Sequence, residues 1–202
     1  MSARRILEIG GVVAGAVLVV FGAVAIYMGV TGYGTVRDSL KDEQIYFSNA
    51  ADDPATQKYA SQWSEEQVKT GEQARQFAKI MREHTLERSE GLTYAQMGRF
   101  QSAAKPDDPA GTNDEAAAAK DEAGNPIANA TRNTWVTETA LTTALNVSYM
   151  AEQLSVFGIV VGVALLLSGI GFLILALVVL GRPARAEATA PVARQATPAT
   201  GH

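Results

Sequence analysis

The chain contains no cysteine, so no disulfide braces any part of it, and thiol chemistry and Cys-based metal sites are excluded. Only two histidines stand in 202 residues, at positions 84 and 202. Charge is missing from two whole stretches: Ile9 to Val36 and Leu154 to Leu180 hold no Asp, Glu, Lys, Arg or His. That removes the usual mark of an ion path or proton relay inside them. It excludes, with it, the ordinary channel or transporter. Large apolar residues are equally scarce between Gln101 and Ala130, where Ile127 stands alone among Pro, Asp, Asn, Gly and Ala.

What the two uncharged stretches do contain is apolar surface. The first, 28 residues long, would measure about 42 Å as a helix at ~1.5 Å per residue, against a bilayer hydrocarbon core of roughly 30 Å. The second has Leu165, Leu166 and Leu167 in a row and an unbroken apolar block from Leu173 to Leu180. A backbone in lipid has to satisfy its own N–H and C=O groups, so both stretches are expected as membrane-spanning helices despite their many Gly and Val residues. A competing reading makes the first a cleavable signal peptide, with Arg4 and Arg5 before it and Ala23-Val24-Ala25 as a small-x-small site. The apolar run continues past that site through Tyr27, Val30 and Tyr33, which favours retention.

Arg4 and Arg5 precede the first stretch and Arg182, Arg185 and Arg194 follow the second, while only Arg37 and Lys41 stand close to a span on the loop side. Positive charge resists translocation. Both termini are therefore expected on the cytoplasmic side of a plasma membrane, with residues 37–152 outside. That loop holds 12 Lys and Arg against 19 Asp and Glu, a net charge of −7, which speaks against nucleic acid and against docking on anionic lipid. Small residues repeat in both spans: Gly11, Gly15 and Gly22 in one, Gly158, Gly162 and Gly169 in the other, at the same intervals of four and seven. Such faces let helix backbones approach closely, either as a packed hairpin or as a seam between copies.

The fold class expected is thus an all-α membrane protein, two transmembrane helices in an antiparallel hairpin carrying a mostly helical extracytoplasmic domain. Its parts are a cytoplasmic N-terminus (1–8), the first span (9–36), an exterior helical domain (37–100), a flexible insert (101–130), a helix leading into the membrane (131–153), the second span (154–180) and a disordered cytoplasmic tail (181–202). After the first span the helix is expected to fray over Arg37 to Lys41. Gln44 to Asn49 has strand-like composition and Asp52-Asp53-Pro54 reads as a turn. Ser64 with Gln67 forms a capping-box pattern, with Trp63 and Val68 as its staple, so a helix is expected to start at Ser64 and to stop at Gly91. Thr93 with Gln96 repeats the pattern and predicts a short helix from Tyr94 to about Phe100. Ala116 to Ala119 is expected to flicker into helix. Trp135, Leu141, Leu145 and Met150 have helical spacing that runs unbroken into the second span.

Gly32-Tyr33-Gly34-Thr35-Val36 followed by Leu40 and Asp42-Glu43-Gln44-Ile45, then His84-x-Leu86-Glu87 with Gly91-x-Thr93-Tyr94-Ala95, and a Thr/Ala/Leu-rich helix entering a Gly-rich last span, resemble a group of small two-span membrane proteins from actinobacteria. Members of that group often carry the automatic name "aromatic ring-opening dioxygenase". The resemblance covers both spans and about half of the exterior part; the insert near 101–130 and the tail are longer here. It implies the two-span architecture, and the name implies non-haem iron.

The residues point away from that chemistry. An iron held by two His and a carboxylate would need His202, which the expected topology puts on the other side of the membrane from His84. His84 and Glu87, three residues apart, supply half of a metal pair at most. His84 shares a helical face with Phe77 and Met81, so a buried, hydrogen-bonded histidine is the preferred reading, with a pH-sensing role as the sharper one. Glu83, Glu87 and Glu90 read as a solvated face. Asn129-Ala130-Thr131 and Asn146-Val147-Ser148 match the glycosylation sequon in a region already rich in Asn and Thr.

No catalytic residue, cofactor or metal site is assigned. The expectation is a non-enzymatic membrane protein acting through protein contacts, as an accessory subunit of a larger membrane complex or by self-association. Trp63, His84, Tyr94 and Trp135 are the candidate contacts for a partner or ligand. An extracytoplasmic sensor or ligand-binding module around His84 and Tyr94 is the alternative, and a metal-dependent dioxygenase comes last.

Overall fold

The computed structural model describes residues 3–180, with side chains up to residue 178. The expected tail 181–202, with Arg182, Arg185, Arg194 and His202, lies outside the described residues, as do Met1 and Ser2. Among the described residues the chain is helical, without a β-strand: α1 (Ala3–Asp42), α2 (Pro54–Ala60), α3 (Gly71–Arg88) and α4 (Ala130–Ile174), the last continuing as a π-helical segment, Leu175–Leu180. Two short 3-10 turns, Ser61–Trp63 and Tyr94–Gln96, complete it.

α1 and α4 are the two helices long and apolar enough to cross a membrane. Their most apolar windows are only 11% and 17% buried within the chain. The central helix of a water-soluble protein would be mostly covered. Here Phe21, Met28, Leu154, Phe157 and Leu167 are between 62% and 69% exposed, and each such side chain left in water forgoes about 1.5–3 kcal/mol of burial. Polar residues mark both ends of α1 and the start of α4. α1 does not fray beyond Val36 but runs on to Asp42, with Lys41 in its last turn bonded to Asp38 at 2.9 Å.

The chain forms two compact units. In the smaller, residues 3–20 and 166–180 bring the start of α1 against the end of α4. The larger, residues 21–165, holds the hydrophobic core: Leu40 of α1, Phe47, Ala55 and Ala60 of α2, Val68, Ala74, Ala78 and Ile80 of α3, and Leu145 of α4.

Local rules explain the short elements. The expected turn forms, with the Asp52 and Asp53 N–H groups both donating to Asn49 O at 3.1 Å, and Asp53 also caps α2, accepting from the Ala55 N–H at 3.0 Å and the Thr56 hydroxyl at 2.7 Å, with Pro54 at the first helical position. The strand-like stretch pairs with the segment expected to start a helix: Phe47 N–H donates to Glu66 O at 3.0 Å and Val68 N–H to Ile45 O at 2.8 Å. The helix start at Ser64 is therefore corrected. Gln67 is extended, its amide donating to Lys41 O at 2.8 Å, and Glu65 takes a left-handed φ of 61°. The capping box that does operate is Thr70 with Gln73, six residues later: Gln73 N–H donates to Thr70 Oγ1 at 3.2 Å and Thr70 N–H to Gln73 Oε1 at 3.1 Å. α3 ends at Arg88, three residues before the expected stop: Glu90 takes a left-handed φ of 53° with its N–H on Glu87 O at 3.2 Å, and Gly91, φ +80°, donates to Leu86 O at 2.8 Å. The Thr93–Gln96 box forms, but the helix it starts is a single 3-10 turn that stops at Gln96, not at Phe100.

The insert is the largest departure from expectation. Residues 98–129 are laced by backbone hydrogen bonds, among them Phe100 with Thr112 in both directions at 3.0 and 2.8 Å, Ala119 N–H to Gln101 O at 2.9 Å and Ile127 N–H to Ala119 O at 2.8 Å. Ala116 to Ala119 are not helical, and Ala117 and Ala119 pair in this extended mesh. Apolar burial was the wrong criterion. Asp108, Asp114 and Asp121 each accept from the N–H two residues on, closing turns without a core. Asn129, buried, gathers the ends: its amide donates to Gly98 O and Pro109 O, and its Oδ1 accepts from Thr131 and Arg132 N–H to cap α4.

Candidate functional site

The small residues of α1 and α4 meet at backbone distance. In the smaller unit, a Cβ on Gly15 would stand 2.8 Å from Gly169 O, one on Gly169 would stand 2.7 Å from Gly15 O, and Gly11 faces Ala176 at 3.0 Å. In the larger unit, a Cβ on Gly162 would come within 2.8 Å of Gly22 O, and one on Gly29 within 2.7 Å of Ser155 O. Gly158 is looser, 3.7 Å from Ala25 O. Gly10, Gly34 and Gly171 face open space. Only hydrogen fits at the tight positions, so these glycines are packing elements. Gly29, Ser155 and Ala176 were not singled out in the sequence, although they continue the same seven-residue interval from Gly22, Gly162 and Gly169. That interval was the signal available.

Where the apolar runs end, one carboxylate joins three helices. Glu152 of α4, 7% exposed, accepts from the N–H of Gly71, the first residue of α3, at 3.0 Å and faces Arg37 Nε of α1 at 3.4 Å. An anion suits the free N–H groups and positive dipole end of a helix start. Gly71 is required there, because a Cβ would meet Tyr149 Cα at 2.8 Å. Arg37 also stacks on Tyr33, and Arg75 on Tyr149, at 4.3 and 4.7 Å from the ring centres.

The four aromatic and histidine candidates do not form one site. Trp63 is packed against the core, stacked on Phe47 at 5.9 Å between centroids. His84 is not buried; its side chain is 40% exposed and its Nε2 lies 3.1 Å from Asp53 Oδ1. That pair ties α3 to the cap of α2. The Asp53 carboxyl is raised by burial and lowered more by the Thr56 hydroxyl, His84 and the Ala55 and Thr56 N–H groups, so it sits below the usual carboxylate value. Tyr94 lies under the Arg132 guanidinium at 3.8 Å and Trp135 under that of Arg82 at 4.6 Å. Tyr94 and Trp135 line one shallow hollow together.

A group absent from the sequence reasoning is Glu138. It is 4% exposed, its Oε2 3.1 Å from Arg82, and its Oε1 has no hydrogen-bond partner. Burial pushes its carboxyl above the usual range, against the pull of Arg82 and of the Thr139 and Thr142 hydroxyls. It shares a hollow of about 230 Å³ with His84 and Arg88. Its position three residues after Trp135, two heptads before Glu152 on the same face of α4, was the readable sign.

These groups do not fit a ring-opening iron centre. His84 and Asp53 supply two donors, already bonded to each other and to α2. Among the described residues no cluster of three or more His, Asp or Glu stands together. Set against known families, curated proteins and solved structures, the chain finds no match.

Proposed function

We propose that this chain is an integral membrane protein that acts through protein contacts, as an accessory subunit of a larger membrane complex or as a homo-oligomer. The observation that carries the reading is the uncovered apolar surface of α1 and α4, 11% and 17% buried in their most apolar windows. Lipid is the solvent that such surface requires, and a helical backbone is what lipid permits. An antiparallel hairpin is supported by the contacts within each unit taken by itself: Gly11 meets Ala176 and Gly15 meets Gly169 in one, Gly22 meets Gly162 and Gly29 meets Ser155 in the other, rising numbers against falling ones. Residues 37–152 lie outside and both termini in the cytoplasm, on the distribution of Lys and Arg. The resemblance to actinobacterial two-span proteins supports this architecture and contributes no chemistry.

The acidic exterior part, held together by side-chain and backbone hydrogen bonds, is the part that would meet a partner. Purification in mild detergent followed by native mass spectrometry tests it. The expected species is a multimer or a complex with a second membrane protein; a lone monomer contradicts the reading.

A second reading, an exterior sensor centred on His84, is favoured by one observation: the unpartnered Glu138 oxygen and the half-exposed His84 border the same hollow. Tyr94 lies under Arg132 and lines a different hollow. Association and folding unchanged between pH 5 and 8 would remove its pH-sensing form.

A further inference from the structure

Between α3 and α4 lies a hollow of about 230 Å³ whose wall is rich in hydrogen-bond acceptors. Three of its lining residues are threonines, and each has already spent its hydroxyl proton on the helix backbone: Thr85 Oγ1 donates to Met81 O at 2.9 Å, Thr134 Oγ1 to Ala130 O at 3.0 Å and Thr137 Oγ1 to Asn133 O at 3.3 Å. What they still offer is lone pairs. Glu138 adds a carboxylate to the same wall, its Oε2 held by Arg82 at 3.1 Å and its Oε1 covered and without a partner. Arg82 itself lines a different hollow, beside Tyr59 and Lys79. A carboxylate oxygen left unpaired in the interior is costly, and positive charge brought to this wall offsets that cost.

Positive charge alone does not suit the hollow. Arg88, exposed in the last turn of α3, lines it too and forms no ion pair or side-chain hydrogen bond among the described residues. His84, the other lining residue able to carry positive charge, is engaged by Asp53 at 3.1 Å. A bare cation therefore meets Arg88, and a bare anion meets Glu138. A molecule carrying both charges satisfies both. Met81 and Leu141 complete the lining with apolar surface, and the volume falls below the roughly 300–1,000 Å³ of pockets for drug-sized ligands, so the occupant is small.

We propose that this hollow binds a free α-amino acid with a short aliphatic side chain. Its ammonium donates to the Thr134 and Thr137 hydroxyl oxygens in the field of Glu138, its carboxylate pairs with Arg88, and its side chain lies on Met81 and Leu141. The inference deepens the second reading above, an exterior sensor or ligand-binding part, and rests on it. The level of the hollow along α4 agrees with a water-borne ligand. Glu138 precedes Leu154 by 16 residues, about 24 Å of helix. In the membrane reading that is well past a headgroup layer of roughly 5–7 Å on each side.

Isothermal titration calorimetry of the full chain in lipid nanodiscs tests this with three probes: L-valine, isobutylamine, which lacks the carboxylate, and isovalerate, which lacks the ammonium. L-Valine is expected to bind, and each analogue to bind about tenfold more weakly or worse, the loss of one charge-assisted hydrogen bond. Arg88→Leu, at an exposed position, and Glu138→Gln should each weaken L-valine binding by about tenfold. Thr134→Trp, filling the hollow from an exposed position, should abolish it. An analogue that binds as tightly as L-valine, and is lost in Thr134→Trp, overturns the amino-acid assignment and leaves the ligand-binding reading standing. L-Valine binding that survives unchanged in both Arg88→Leu and Thr134→Trp overturns the site. No binding by any of the three probes overturns the proposal and removes the ligand-binding reading beneath it, so the failures are told apart.

Discussion

The backbone N–H of Gly71 and the carboxylate of Glu152, 81 residues apart, are joined by a hydrogen bond of 3.0 Å. The contact fastens the first turn of α3 to α4, and Arg37 of α1 faces the same carboxylate at 3.4 Å. Removing Glu152 leaves a buried N–H without an acceptor. Glu152→Ala is expected to lower stability by about 1–3 kcal/mol, and Gly71→Ala by a similar amount because its Cβ would press on the Tyr149 backbone. Thermal unfolding in detergent followed by circular dichroism checks both, with Arg37→Ala the milder variant since its side chain is 35% exposed.

The tight glycines predict position-specific intolerance. Gly169→Val and Gly162→Val force backbone against backbone and should each cost about 1–3 kcal/mol. Gly171→Val, facing open space two residues from Gly169, should change stability by less than about 0.5 kcal/mol. Equal losses at 169 and 171 would remove the seam as an explanation.

Arg82 and Glu138 predict a pH-dependent rescue. Glu138 has its carboxyl raised, chiefly by burial, so the stability tied to its protonation is present below the ordinary carboxylate range and is lost as pH rises through the raised value. Arg82→Leu strands the carboxylate and should destabilise by about 1–3 kcal/mol at pH 7, less than for a fully buried pair because Arg82 is partly exposed. The loss should shrink on acidification toward pH 5. Glu138→Gln should be nearly neutral, and unfolding curves at the two pH values check all three proteins.

Asp53 titrates with the opposite sign. Its carboxyl is held below the usual value, so its contribution is present at neutral pH and is lost as pH falls through that depressed value. Asp53→Ala also removes the cap of α2, a loss of about 1 kcal/mol. Its effect should be visible at pH 7 and should fade in strong acid, where the wild-type cap is protonated too.

Asn129 holds the mesh of residues 98–129 and caps α4 at once. Asn129→Ala should make that segment the first site of limited proteolysis, with cuts between 101 and 128, while α3 and its Gln73 cap remain protected. Unchanged digestion patterns would show that the backbone bonds alone suffice.

The long elements were legible because their signals are redundant. Uninterrupted apolar composition and helical spacing give α1 and α4 in lipid or out of it, and Gly91, three residues past Arg88, marks the end of α3 to within one turn. The start of α3 was not, because Ser64-x-x-Gln67 and Thr70-x-x-Gln73 are equivalent patterns locally. What separates them is tertiary: Gly71 has to lie against Tyr149, and Gln67 is taken up by Lys41 O. The insert misled for a related reason. Its order comes from Asp and Asn side chains closing turns on the backbone, and counting apolar residues is blind to that. The Asp53–His84 and Arg82–Glu138 pairs join residues 31 and 56 positions apart, distances at which spacing carries no information.

The account stands on the two apolar helices crossing lipid with residues 37–152 beyond it, and the absence of cysteine makes this directly measurable. A single cysteine is placed at the exposed insert position by Ala104→Cys, or after the second span by Ala186→Cys, and intact cells are treated with a membrane-impermeant thiol reagent. Labelling at 104 in intact cells, with labelling at 186 only after lysis, is the predicted result. Labelling at 186 in intact cells, or none at 104 until the cells are broken, contradicts it.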